Sequence, residues 1–237
     1  MVTICEKEYP IDTTSLWICS KQLSTMPSEI QYLINLKEMC MTYNKLKEIS
    51  KEIQYLTQLI DVNLMNNYIK EIPKEIQYLT QLKNINLHNN KLEKIPEEIK
   101  YLTQLTRLDL SKNQIIEIPQ GIQCLTQLQS LHLKCNQIKE IPQEIQCLTQ
   151  LTHLLLSSNH ILEIPKEIKN LTQLIYLSLD NNKIEIIPFE LCQLRHLRCF
   201  YYNHNPIKNL SDPIIDKYLS DHKLHYIEYD DSEYDYC

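Results

Sequence analysis

One glycine, Gly121, stands in a chain of 237 residues, and alanine is missing altogether. Loops that wrap a phosphate or a dinucleotide need a bare backbone at several positions, so a lone glycine excludes them. The patterns G-x-S-x-G, H-E-x-x-H and C-x-x-C are absent too. Nucleotide hydrolysis, hydride transfer and the usual zinc hydrolases are therefore not expected. The first twenty residues lack a basic start followed by an apolar run, so a secretory signal is not expected. No stretch approaches the ~18 consecutive apolar residues of a membrane-spanning helix. Net charge is −6 with Lys and Glu interspersed, and no basic stripe marks a nucleic-acid surface. Arginine is scarce, three residues against 21 lysines, while Ile, Asn, Lys and Tyr abound. Few residues with GC-rich codons point to an AT-rich genome, as in an intracellular bacterium, a protist or a large DNA virus. The expected location is the cytoplasm, the host-cell cytoplasm if the source is a virus or an intracellular pathogen.

What the chain does contain is a 23-residue pattern, running without insertion or deletion from Thr13 to His196. Aligning it on Leu36, Leu59, Leu82, Leu105, Leu128, Leu151, Leu174 and Leu197 puts the same residue types at the same offsets. The unit from Leu105 reads LTRLDLSKNQIIEIPQGIQCLTQ. Its Leu105, Leu108, Leu110, Ile115, Ile118, Ile122 and Leu125 cannot bury themselves in one short coil, so neighbouring coils must stack into a continuous core. The LxxLxL segment has the two-residue period of a strand. Stacking sets nine such strands side by side as a parallel sheet.

The pattern LxxLxLxxNxIxxIPxEIxxLTQ resembles the leucine-rich repeat family. Its length and Ile-Pro-x-Glu-Ile segment are similar to the intracellular Ras-suppressor and Scribble-type class and to the plant intracellular Ras-group repeats. The expected fold is an α/β solenoid, a horseshoe with a parallel concave sheet and short convex helical segments. Residues 1–12 form an N-terminal cap or tail. Residues 13–205 form the solenoid, eight full repeats over 13–196 and a partial ninth from 197. Residues 206–225 form a C-terminal cap, with Asp212–His222 a helical lid, and 226–237 an acidic tail. The resemblance further implies a non-enzymatic monomer without cofactor that binds a protein, with a small GTPase or a phosphatase subunit as partner types. A signalling regulator or a host-directed effector fits. Rival readings are the recognition arm of a ubiquitin ligase, for which the residues after Asn205 are too few to add a catalytic domain, and a structural assembly protein.

Several residue types take structural readings. The ninth-position ladder from Asn44 to Asn205 is expected to turn inward and satisfy backbone groups. Proline at position 15 and glutamate at 17 mark helix starts; Ser50 in the proline position is expected to loosen its start. Position 20 (Tyr32, Tyr55, Tyr78, Tyr101, Cys124, Cys147) reads as semi-buried. Nine cysteines, five of them (Cys19, Cys40, Cys124, Cys135, Cys147) inside repeat units, read as reduced thiols. The sequons at Asn170 and Asn209 are discounted, as are metal sites from Cys192, His196 and Cys199 or from His222, His225 and Cys237.

The outward strand residues carry the functional expectation. Convex text is nearly copied between repeats, whereas position three runs Ser15, Glu38, Asp61, Asn84, Arg107, Ser130, His153, Tyr176, Cys199, and position five is as varied. Concentrated variation favours a binding face with Trp17, Tyr43, Tyr176 and Tyr201 as aromatic anchors around Asp61 and a polar centre of Arg107, Asp109, His132, Lys134 and His153. Trp17 reads equally as a cover for the first coil. Asp109, His132, Ser111 and Ser130 evoke a Ser-His-Asp set, but a regular parallel sheet has its amides committed, so a surface Asp–His contact that makes His132 more basic is expected.

Overall fold

In the computed structural model, residues 1–222 are described; the acidic tail 226–237, the last residues of the cap, His225 and Cys237 lie outside them. Each repeat contributes one three-residue strand. After an N-terminal pair, β1 (Val2–Ile4) and β2 (Lys7–Tyr9), come β3 (Ser15–Trp17), β4 (Glu38–Cys40), β5 (Asp61–Asn63), β6 (Asn84–Asn86), β7 (Arg107–Asp109), β8 (Ser130–His132), β9 (His153–Leu155), β10 (Tyr176–Ser178) and β11 (Cys199–Tyr201). Strands β3 to β11 form one parallel sheet in chain order. Its register advances one repeat per strand: Arg107 lies beside Ser130, and Ser130 beside His153. The α/β solenoid with its concave sheet and short convex turns is thus the fold of the molecule.

The core is one cluster running the length of the stack. Leu105, Leu108, Leu110, Ile115, Ile118, Ile122 and Leu125 are all buried in it, as are their counterparts in neighbouring coils. A coil that must bend sharply after its strand leaves main-chain groups facing this apolar interior, and the asparagines satisfy them. Asn113 Nδ2 donates to the carbonyls of Leu87, Leu110 and Ser111 at 3.0, 3.0 and 3.2 Å. Its Oδ1 accepts the Leu92 amide of the preceding coil at 2.9 Å. The set recurs from Asn44 to Asn205, so the ladder staples each coil to the one before it.

The bend also requires a left-handed residue, which the sequence does not announce. Position eight has positive φ in every coil: Ser20, Tyr43, Asn66, Asn89, Lys112, Cys135, Ser158, Asn181 and His204. Asparagine tolerates this region, but the others accept a steric cost there.

The convex segments are five-residue 3₁₀ turns, Ser28–Tyr32 through Phe189–Gln193. Proline does not open the first helical turn as expected. Pro119 has φ −70° and ψ 157° and is the extended residue just before it. Its carbonyl accepts the Ile122 amide at 3.1 Å, so proline starts the turn by presenting an acceptor from a preset φ. Ser50 does not loosen its turn: its hydroxyl accepts the Glu52 amide at 3.4 Å, giving a side-chain cap that proline cannot. Position 20 divides: Tyr32, Tyr55, Tyr78 and Tyr101 are exposed, whereas Cys124 and Cys147 are half-buried. Gly121, where other repeats hold glutamate, donates its amide to Glu97 Oε2 at 2.9 Å. A Cβ there would stand 2.8 Å from that oxygen and 3.0 Å from the Glu97 carbonyl.

Both ends of the described stack are covered. The β1–β2 hairpin turns through Cys5 and Glu6, both at positive φ, as tight two-residue turns demand. Val2, Ile4 and Tyr9 are buried in the main core. At the other end α1 (Pro213–Asp221) is capped by Asp212, whose Oδ1 accepts the Ile214 amide at 2.9 Å. Ile215, Tyr218 and Leu219 are buried, and the Tyr218 hydroxyl donates to the Leu194 carbonyl at 3.0 Å.

Candidate functional site

The pleat sends positions three, five and seven of each strand segment to the concave side. Strands β4 and β5 make an acidic, hydrogen-bonded margin. Glu38 accepts from the Ser15 hydroxyl at 3.1 Å, and Asp61 from the Asn84 amide at 2.9 Å. Trp17 on β3 is 65 % exposed and Tyr43 47 %. Trp17 therefore does not cover the first coil; the hairpin helps do that.

The centre carries charges of both signs. Arg107 on β7 is exposed and Lys134 after β8 is half-buried. Asp109 and His132 are not a surface contact as expected: they are 8 % and 5 % exposed. Asp109 Oδ1 accepts the Ser111 amide at 3.0 Å, its Oδ2 lies 3.4 Å from His132 Nδ1, and His88 Nδ1 is 4.0 Å from Oδ1. Burial raises the Asp109 carboxyl, but the hydrogen bond and charge of His132, the Ser111 amide and the charge of His88 outweigh it, leaving the pKa at about 2. The carboxylate thus stays ionised and orients the ring, placing Nε2 2.8 Å from Ser130 Oγ.

This Ser-His-Asp line has the spacing of a hydrolytic triad but not its surroundings. Acyl transfer needs backbone donors aimed at a developing oxyanion. The Ser130 amide is committed to the Thr106 carbonyl at 3.1 Å. The three side chains form a hydrogen-bonded relay that fixes the Ser130 hydroxyl between Arg107 and His153 on the adjoining strands.

Toward β11 the face closes on itself. Tyr176 and Tyr201 are 7 % and 8 % exposed. Instead of standing open as anchors, they pack with Leu155 in a small second cluster. Ring centroids of Tyr176 and Tyr201 lie 5.2 Å apart, and His153 stacks on Tyr176 at 5.8 Å. The His153 pKa is lowered by burial and then by the charges of His132 and Arg107.

Two further features carried no sequence signal. Cys19 and Cys40 place their sulfurs 3.2 Å apart beside Trp17, because position seven of one coil meets position five of the next. Clefts of about 680 and 560 Å³ lie between coils away from the sheet, rimmed by charges such as Glu144 and Lys166 or Lys70 and Glu71. Among the described residues no three His, Cys, Asp or Glu side chains gather as a metal site, and no helix is long and apolar enough to cross a membrane. The eight described cysteines are all free thiols.

A family model described as a leucine-rich repeat region matches residues 14–154, and a second, the leucine rich repeat, matches 150–171 and 173–194. The chain belongs to the leucine-rich repeat family. A search of curated proteins gave no match. Among solved structures, this leucine-rich repeat chain is similar to a leucine-rich repeat protein of Leptospira interrogans, at 36 % identity and TM-score 0.76 over 78 % of this chain and 47 % of that one. It is also similar to the plant peptide hormone receptor RGFR1, in complex with RGF2, at 33 % identity and TM-score 0.71 over 81 % and 30 %. The ectodomain of the Arabidopsis thaliana receptor kinase GASSHO1/SCHENGEN3, in complex with Casparian strip integrity factor 2, follows at 28 % and 0.74 over 84 % and 26 %. The chain spans less than half the length of each of these three. Its leucine-rich repeat fold is that of an interaction module.

Proposed function

We propose that the protein is a non-enzymatic, intracellular interaction module that binds a protein partner on its concave sheet, as a signalling regulator or host-directed effector. The observation carrying this reading is that coil-to-coil variation falls on the outward strand positions, where Trp17, Asp61 and Arg107 are accessible, with Tyr43 exposed at the bend beside them. The similar plant receptors, in complex with peptide ligands, lend support for a protein or peptide ligand. The face spans eight strand spacings, roughly 40 Å, enough for the ~800 Å² per partner of a specific interface. Resemblance to the Ras-suppressor class makes a small GTPase or a phosphatase subunit the partner types to try first.

Combined Trp17→Ala, Asp61→Ala and Arg107→Ala substitution is expected to weaken capture of the partner more than tenfold, about 1.4 kcal/mol or more. Asp109 and His132 are left out because their burial would confound binding with folding. A convex control, Lys74→Ala, Glu98→Ala and Lys166→Ala, should retain capture. Quantitative affinity capture from the native cell, with circular dichroism confirming that both variants fold, makes the test. Loss in the convex variant alone would move the site to the other face.

A further inference from the structure

Position seven of one coil and position five of the next lie beside each other on the concave sheet. His88 meets Asp109 in this way at 4.0 Å, and Ser157 hydrogen-bonds Ser178. At the first such place both residues are cysteines, with Cys19 Sγ 3.2 Å from Cys40 Sγ. The main chain holds them there. The Ile18 amide donates to the Cys40 carbonyl at 2.9 Å and the Ser20 amide to the Thr42 carbonyl at 3.0 Å, so the register on either side of Cys19 fixes the approach.

A disulfide needs its sulfurs about 2.0 Å apart, roughly 1 Å closer than they stand. Strand β3 is the edge of the nine-stranded sheet, and Cys19 follows it at a bend where Ser20 and Gln22 have positive φ. The first coil can therefore close that gap without moving the rest of the stack. The two thiols are also unlike. Cys19 is half-buried, whereas Cys40 is buried. Burial pushes the Cys19 thiol up, but hydrogen bonds from the Thr42 hydroxyl, the Cys40 thiol and the Thr42 main chain outweigh it and leave its pKa lowered. Cys40 is pushed up by burial and then by its hydrogen bond with Cys19. A more accessible thiol that ionises first, beside a covered one that stays protonated, is the arrangement of an attacking and a resolving cysteine.

We propose that Cys19 and Cys40 form a thiol modification site on the concave face, a dithiol that hydroperoxides oxidise to a disulfide joining the first two coils. The Cys19 thiolate attacks one oxygen of hydrogen peroxide and the O–O bond breaks. The departing hydroxide takes the proton that Cys19 gave up and leaves as water, and Cys19 becomes a sulfenic acid. Cys40 sulfur then attacks Cys19 sulfur; the S–S bond forms, the S–O bond breaks, and the hydroxide leaves with the Cys40 proton as a second water. Two thiols have lost two electrons, and the peroxide has gained them. A small dithiol such as dithiothreitol reverses the change by exchange.

Trp17 supplies the reporter. It is the chain's single tryptophan, its register neighbour on β4 is Cys40, and a disulfide close to an indole quenches its fluorescence. The reduced full chain is treated with hydrogen peroxide. Its intact mass should fall by two hydrogens, peptide mapping should find Cys19 linked to Cys40, and tryptophan fluorescence should fall in step, all restored by dithiothreitol. The link should form at least tenfold faster than the exposed Cys135 is oxidised, as followed by alkylation. Cys40→Ser should stop the reaction at the Cys19 sulfenic acid, trapped with dimedone, and Cys19→Ser should slow oxidation of Cys40 at least tenfold. Circular dichroism checks both variants, and mapping of the unaltered chain decides the matter if either fails to fold. Added oxygen without a Cys19–Cys40 link, links spread over the other cysteines, or a pair no faster than Cys135 overturns the proposal. The contact would then be only a sulfur counterpart of the Ser157–Ser178 hydrogen bond.

Discussion

At the scale of single residues, the inward asparagine exerts the largest local control. Asn113→Ala removes three donated bonds and one accepted bond from a buried bend. A loss of ~1–3 kcal/mol in urea denaturation is expected, against little change for the exposed Gln114→Ala. Similar midpoints for the two would contradict the assignment. Asp109 makes a prediction in pH. Its folded pKa is about 2 against an ordinary 3.8, so its contribution is fully present above about pH 4 and lost as pH falls through 2. The size is about 2 kcal/mol. Wild-type stability measured from pH 5 to pH 2 should therefore fall more steeply than that of Asp109→Asn; parallel curves would remove Asp109 from the acid response. His132 beside Asp109 was identifiable from their matched repeat positions. That both sink below the surface was not, because burial depends on how His88, Ser111 and Ser130 of three coils converge.

At the scale of elements, a typical coil combines a short strand, an asparagine bend, a left-handed eighth residue and a 3₁₀ turn opened by a proline carbonyl, with Ser50 taking the proline's place in the second coil. No element of three to five residues is stable alone in water, so each owes its conformation to the neighbouring coil. Gly121 shows the coupling. Restoring the repeat glutamate there, Gly121→Glu, should destabilise by ~1–3 kcal/mol, since the Cβ would meet both the carboxylate and the carbonyl of Glu97. Pairing it with Glu97→Ala should recover part of the loss. A thermal shift upward for the single change would show that Glu97 yields without cost. The hairpin at Cys5 and Glu6 escaped the sequence because its turn has neither asparagine nor glycine, the residues that normally signal positive φ.

At the scale of the whole molecule, a stack whose coils touch only their neighbours is weakest at its ends. The convex turn Phe189–Gln193 and Leu194 are covered by α1, whose Ile215, Tyr218 and Leu219 are buried in the core. A chain ended at Ser211 should bind apolar dyes and melt lower, whereas one ended at His222 should keep the melting temperature of the full chain. Equal melting of the two would show that α1 adds nothing to the stack. The concave face is likewise a property of the assembled stack. Glu38 and Asp61 lie toward one end, Arg107 and Lys134 toward the middle and the Tyr176–Tyr201 pair toward the other.

The sequence by itself determined the repeat, the parallel sheet, the inward asparagines and which residues face outward. A fixed period of 23 residues converts chain position directly into place on the coil. Depth of burial, by contrast, was decided only when the coils stacked. Tyr176 and Tyr201 alternate outward like Trp17, yet they pack against each other and Leu155, while Trp17 stands exposed with one sheet neighbour, Cys40. Periodicity reports the direction of a side chain. Its accessibility depends on residues 23 positions away on either side, and only the tertiary structure sets their sizes against one another.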